Sequence, residues 1–193
     1  MPGENLIIII LAIILAYLIW DTYYMGEVEY VKSEVDNEEY LVRSLPDKNE
    51  AANLLANIKS KIRVLIKHLN NIFPNDIRVL RLNKNYNEDK ISEGADNAKY
   101  TSYSVNKGEK IVLCLRSKNE QKSLVDLNTM MFVVLHEIAH IVTKSVGHTE
   151  EFWDNFKWIL EESVNIGIYE SQDFNNKPVE YCGIEITDNP INR

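Results

Sequence analysis

The chain reads as an α+β protein: a helix-rich domain with a small β-hairpin or sheet packed on one strongly apolar helix, preceded by a separate N-terminal apolar helix. Three observations predict this. Apolar residues recur at three- and four-residue steps in three long windows, the period of a helix with one buried face. Between two of them, "YTSYSVNKGEKIVLCLRS" alternates β-branched and aromatic residues on either side of Asn106-Lys107-Gly108, a hairpin signature. At the start, "LIIIILAIILAYLIW" runs from Leu6 to Trp20 without a charged side chain.

That first run covers fifteen residues, which as a helix reach ~22 Å at ~1.5 Å per residue. Adding Asn5 and "DTYYM" brings the element close to the ~20 residues a membrane span needs. Tyr17, Trp20, Tyr23 and Tyr24 are then the aromatics expected at a membrane interface. No Lys or Arg precedes the run and no small-x-small site follows it, so a cleaved signal peptide fits poorly. Apolar residues on every side argue against a buried core helix. The expectation is a single-pass transmembrane anchor over residues 1–25, contacting a membrane through residues 6–24. Its flanks carry too few basic residues to orient it.

Charge is unevenly placed. Almost all of the net −8 comes from residues 1–40, with eight acids against Lys32, whereas the rest of the chain holds 21 acids and 20 bases. Residues 26–45 are expected as an acidic spacer or a loosely attached first strand, and residues 46–193 as the folded domain. With no basic tail or run of lysines and arginines, a nucleic-acid partner is not expected. Cys114 and Cys182 are expected as reduced, partly buried thiols rather than as a disulfide.

Within the domain, Ala51, Leu54, Leu55, Ile58, Ile62, Leu65, Ile66 and Leu69 mark a helix that Asp47 or Asn49 can cap and Pro74 closes. His68 is expected at the surface. "NDIRVLRLNKNYN" reads as a short second helix, and "EDKISEGADNAK" as a loop. After the hairpin, "TMMFVVLHEIAHIVTKSV" forms a helix with Asp126 or Asn128 as cap and Gly147 as its end. The helix in "TEEFWDNFKWILEESVNI" buries Phe152, Phe156, Ile159 or Leu160, and Val164, and stops at Gly167. The tail has room for one short strand.

Chemistry concentrates in one place. Three of the chain's four histidines fall between Leu135 and Trp153, "LHEIAHIVTKSVGHTEEFW". Residues four apart lie one above the other on a helix, so His136 and His140 can aim two imidazoles at one point. That is the geometry for two zinc nitrogens at ~2.0–2.1 Å. Glu137, rotated about 100° around the axis, can reach a water on the open side of the metal rather than join its ligands. Gly147 lets the chain reverse, so His148 can return over the first two imidazoles as a third ligand. Glu161 or Glu162 on the following helix is the rival third ligand. Three protein ligands leave a fourth position for water, the layout of a catalytic site. For a stabiliser of developing negative charge, Tyr103, Tyr169 and Tyr181 qualify by residue type. Cys182 as a thiolate on the open position is a minor further reading.

The pattern "HEIAH…GHTEEFW" resembles the signature of SprT/WLM-type zincin metallopeptidases, and residues 100–190 are similar to small WLM-type proteins of large DNA viruses. The resemblance implies a zincin-like domain binding one Zn2+ through His136, His140 and His148. It also implies Glu137 as general base, a protein or peptide as substrate, and Phe152 and Trp153 packing the ligand helix pair. The seven residues between His140 and His148 exclude the astacin-like H-E-x-x-H-x-x-G-x-x-H spacing. The expected function is a membrane-anchored zinc metallopeptidase; the alternative is a catalytically inactive zinc-stabilised interaction or virion-membrane protein.

Overall fold

The computed structural model describes residues 2–25, 27–96, 101–119 and 121–192, with side chains from residue 7 onward except those of 21–26. The N-terminal helix α1 (Pro2–Met25) is followed by an antiparallel pair, β1 (Val28–Lys32) and β2 (Glu39–Arg43). Two helices come next, α2 (Lys48–Ile72) and α3 (Ile77–Asn85). Then β3 (Ile91–Glu93), β4 (Tyr103–Val105) and β5 (Lys110–Leu113) form a three-stranded sheet in the order β3-β5-β4. In that sheet β3 runs parallel to β5, and β4 pairs antiparallel with it through Tyr103↔Val112 and Val105↔Lys110. Helices α4 (Leu127–Val142) and α5 (Glu150–Asn165) follow, and the antiparallel pair β6 (Val179–Tyr181) and β7 (Ile184–Ile186) closes the chain before a 3-10 turn.

Helix α4 is the centre of the core. Twelve of its sixteen residues are buried, including Glu137, and α5 lays Phe152, Phe156, Ile159 and Leu160 against it. Val164, expected to be buried, is 39% exposed. Asp126 caps α4 by accepting from the Thr129 N–H at 2.9 Å, which offsets one of the unpaired donors of the first turn. The helix ends at Val142 rather than at Gly147, so residues 143–149 are left as a connecting loop. Asp47 stands at the start of α2 but gives it no side-chain cap; its carboxylate pairs instead with Arg116.

Several segments differ from expectation. The segment expected as an acidic spacer or a loosely attached first strand pairs as β1–β2 and buries Val31, Tyr40 and Val42 in the common core. Ionic and charge-assisted contacts fasten this pair. Lys59, 1% exposed, reaches Glu38 and Asp89 at 2.5 and 3.0 Å. Buried Glu93 accepts from the Arg43 N–H and from Arg116 Nε, both at 2.7 Å. The Glu93 link also explains β3, a strand in a stretch expected as loop: its Glu is inside because two arginine residues meet it there. The tail holds two strands rather than one, joined by Cys182 and Gly183, both at positive φ (51° and 82°), a conformation suited to a tight hairpin turn. Cys182 is disulfide-bonded to Cys114, Cα–Cα 6.3 Å, correcting the expectation of free thiols. The turn of β6–β7 is brought against the end of β5, where Tyr181 Oη also donates to the Cys114 carbonyl at 2.9 Å.

The expected transmembrane anchor, and with it a single-pass membrane protein, is not supported. Among the described residues no helix is long and apolar enough to cross a membrane. Length is the physical reason: the uninterrupted apolar run, Leu6 to Trp20, would reach ~22 Å as a helix against a ~30 Å hydrocarbon core. Tyr17 and Trp20 are exposed on α1, while Tyr23 and Tyr24 lie outside the described side chains.

Candidate metal centre

The three histidines converge. Nε2 of His136 lies 3.2 Å from Nε2 of His140 and 3.0 Å from Nε2 of His148. Two of the rings come from one face of α4 and the third from the loop before α5. Nitrogens on a tetrahedral centre at ~2.0–2.1 Å stand about 3.3 Å apart, close to the two separations from His136, and all three donor atoms lie within 4.8 Å of one another. The donor chemistry also fits a cation. A neutral imidazole carries one N–H and one lone pair, so a single proton cannot satisfy three nitrogens facing one point. Burial first, then the neighbouring imidazoles, lowers the pKa of His136 to about 3. Burial, His148 and Lys107 lower that of His140 to about 4. Near neutral pH both rings are therefore uncharged and offer lone pairs.

Phe152 forms the floor of this cluster. Its ring stacks on His140 at 4.3 Å and meets His136 and His148 edge-on, each at 4.8 Å between centroids. Thr149 sets its position by accepting from the Phe152 N–H at 3.3 Å. Trp153 lies against the outer side of His148, 5.8 Å between centroids. The two aromatics singled out in the sequence thus touch the imidazoles themselves.

Glu137 is 6% exposed. Burial raises its carboxyl to about 7, against the pull of hydrogen bonds from the Ser104 side chain and backbone. A carboxyl balanced near neutrality beside the neutral imidazoles of His136 and His140 is a functional-site signature with a physical cause. Ser104 lies on β4, so the hairpin supplies the partner that orients Glu137.

Two clefts meet here. One, of about 330 Å³, is bounded by Tyr103, Lys107, Val146 and the three imidazoles. The other, of about 380 Å³, is more apolar and is walled by Phe132, Val133, Trp153, Ile184 and Ile186. His136 and Glu137 border both.

The remaining candidates separate cleanly. Glu162 is taken by His68, Nε2 to Oε2 2.6 Å, and Glu161 is exposed. Among the described residues neither joins a group able to hold a metal; that group is His136, His140 and His148. His68, expected at the surface, is half-buried in this pairing. Tyr169 packs elsewhere, its hydroxyl bonded to Asn189 and the Gln172 N–H. The Tyr181 hydroxyl is used by Ser102 and the Cys114 carbonyl. Tyr103 is the one of the three that borders the histidine cleft. Cys182, in its disulfide, is withdrawn as a ligand. Residues not anticipated are Ser104, Lys107 and Glu151. Nothing in a one-dimensional pattern marks them, because each acts through a contact with another element.

A mixed helix and sheet domain that gathers three imidazoles and a buried glutamate on a shared helix-loop frame presents a candidate metal site. The profile of the WLM domain family matches residues 34–190, and the chain belongs to this family. It is 37% identical over 165 residues to the uncharacterized protein R325 of Acanthamoeba polyphaga mimivirus, covering 83% of each chain. It is 26% identical over 179 residues to the uncharacterized protein 136R of Invertebrate iridescent virus 6, covering 88% of this chain and 93% of that one. To the DNA-dependent metalloprotease WSS1 of Saccharomyces cerevisiae it is 26% identical over 137 residues, 68% of this chain and 44% of WSS1. The crystal structure of Wss1 shares the fold, with a TM-score of 0.51 at 23% identity over 66% of this chain and 87% of that one. Family and likeness together support a metalloprotease-like function.

Proposed function

We propose that the chain is a zinc-dependent metallopeptidase in which His136, His140 and His148 hold one Zn2+ and Glu137 is the general base. The observation that carries this reading is the convergence of three Nε2 atoms beside a buried carboxyl. Imidazole is a common zinc donor, and three ligands without a fourth suit a catalytic rather than a closed structural site. A zinc ion held there would supply Lewis acidity, polarising a carbonyl and bringing the pKa of a water down to ~7. Glu137, poised near neutrality, is suited to take a proton from water and pass it to the leaving amine. Ser104 holds its carboxylate in place, and Phe152 keeps water from the back of the imidazoles.

The substrate class is a protein or peptide, following the metalloprotease relative. The DNA dependence of WSS1 is not carried over, since residues 41–193 hold 21 acids and 20 bases and so offer little net attraction for a phosphate backbone. Replacement of Glu137 by Gln in the full chain tests the reading. Zinc content is expected to stay at one ion per chain while cleavage of an unfolded protein falls about 10²–10⁴-fold. Unchanged cleavage would remove Glu137 from the mechanism, and a chain that takes up no zinc would remove the site.

A further inference from the structure

The third imidazole poses a problem the first two do not. His136 and His140 ride on a buried helix, but His148 is exposed and ends a loop with no regular structure. A ligand on a free loop must be ordered at the moment of binding, which weakens affinity.

This loop is held from two sides. From one side comes Lys107, at the tip of the β4–β5 turn. Its ammonium donates to the carbonyls of Thr143, Lys144 and Ser145 at 2.6, 2.8 and 2.8 Å. An ammonium has three donors, and all three are used. They meet the carbonyls where α4 ends, the negative pole of its dipole. The turn itself is firmly seated. The Gly108 carbonyl accepts from the Asn87 N–H at 2.9 Å, and a Cβ at Gly108 (φ +115°) would lie 2.9 Å from both the Asn85 carbonyl oxygen and Ile141 Cδ1. From the other side, the Glu151 carboxylate accepts from the Lys144 and Ser145 N–H groups at 3.1 and 3.0 Å. Ser145 Oγ and Thr149 Oγ1 close the loop at 2.6 Å.

We propose that Lys107 is a positioning residue of the metal centre, which together with Glu151 clamps residues 143–145 so that His148 meets His136 and His140. The inference rests on the zinc reading above. It assigns the β4–β5 hairpin two tasks at one site: Ser104 orients the base, and Lys107 fixes the loop of the third ligand.

Lys107→Met keeps the aliphatic stem and removes the donors. In the full chain, zinc affinity measured by chelator competition is expected to fall about tenfold. Lys107→Arg, which keeps charge and donors, is expected to restore most of it. Coulomb's law alone predicts the opposite sign, because removing a cation beside a cation site should tighten binding. Unchanged or tighter zinc binding by Lys107→Met therefore overturns the clamp. The decisive control is the same change made in His148→Ala, where it should produce no further loss; an equal loss in both backgrounds means a general effect on folding and also overturns the proposal. Should Lys107→Met fail to fold, Glu151→Ala provides the second arm, with the same expected weakening and the same control. If His148→Ala itself leaves zinc affinity unchanged, the zinc reading fails rather than the clamp.

Discussion

The two halves of the candidate metal centre are built on opposite principles. His136 and His140 are placed by a helix whose neighbours along the chain are almost all buried, so the fold as a whole holds them. His148 is placed by a seven-residue connection, 143–149, whose geometry depends on a few polar contacts reaching in from β4–β5 and α5. Packing fixes the first pair; hydrogen bonding fixes the third imidazole. The difference implies that the pair should be robust and the third imidazole adjustable. Local opening draws on segments with few buried apolar contacts, and at this site the loop is that segment.

The largest effect should separate the two halves directly. Alanine at His136 or at His140 is expected to lower zinc affinity about 10³-fold or more, since three ligands share a structural-scale binding free energy of ~10–16 kcal/mol. Alanine at His148 removes the ligand whose ordering cost is highest, so its loss should be smaller, about 10²-fold. Chelator competition on the three variants ranks them. A loss at His148 equal to that at His136 would mean the loop is as preorganised as the helix, and the contrast would be gone.

A second test asks whether the metal centre depends on the covalent tie elsewhere. The disulfide joins the end of β5 to the β6–β7 turn across 68 residues and contributes no ligand. Replacing Cys114 and Cys182 together by Ser should cost about 2–4 kcal/mol of stability, a fall in melting temperature of ~4–16 °C for a chain of this size. Zinc affinity of the folded protein should stay as it was. A parallel loss of zinc would show that β6–β7, which walls the apolar cleft beside His136, also supports the ligands.

The same contrast explains what could be read from the sequence. Helix α4 and its histidine pair were legible because periodicity and i, i+4 spacing are properties of the chain itself. Helix α2 was legible for the same reason. His148 was legible as a candidate because a glycine and a histidine sit together after the helix. Its clamp was not, since Lys107 is 41 positions before His148 and looks like any turn lysine. Strand β3 was hidden because three residues, one of them a glutamate, carry no period, and its burial depends on Arg43 and Arg116. In β1–β2 the acids at Glu29, Glu38 and Glu39 masked the inward set of Val31, Tyr40 and Val42. The pairing of Cys114 with Cys182 required knowing that β5 and β6–β7 meet. Uniform apolarity at the N-terminus suggested a membrane span, but the apolar run Leu6–Trp20 falls short of the length a span requires, and among the described residues no helix is long and apolar enough to cross a membrane.

The smallest effect is also the most discriminating, because it compares two caps of similar chemistry. Asp126 caps α4 far from the ligands, accepting from the Thr129 N–H at 2.9 Å. Thr149 caps α5 next to His148, accepting from the Phe152 N–H at 3.3 Å while its hydroxyl also meets Ser145 at 2.6 Å. Alanine at either position removes a cap worth about 1 kcal/mol, so thermal melting should register similar modest losses. Zinc affinity should not. Asp126→Ala leaves the loop and the Phe152 floor untouched, and its affinity should match that of the unaltered chain. Thr149→Ala loosens the loop at Ser145 and the seat of Phe152 beneath all three imidazoles, so affinity should fall a few-fold, below the about tenfold loss of a supporting contact to a metal ligand. Equal zinc affinities in the two variants would mean that the loop keeps its shape without this closure, leaving Lys107 and Glu151 as its whole support.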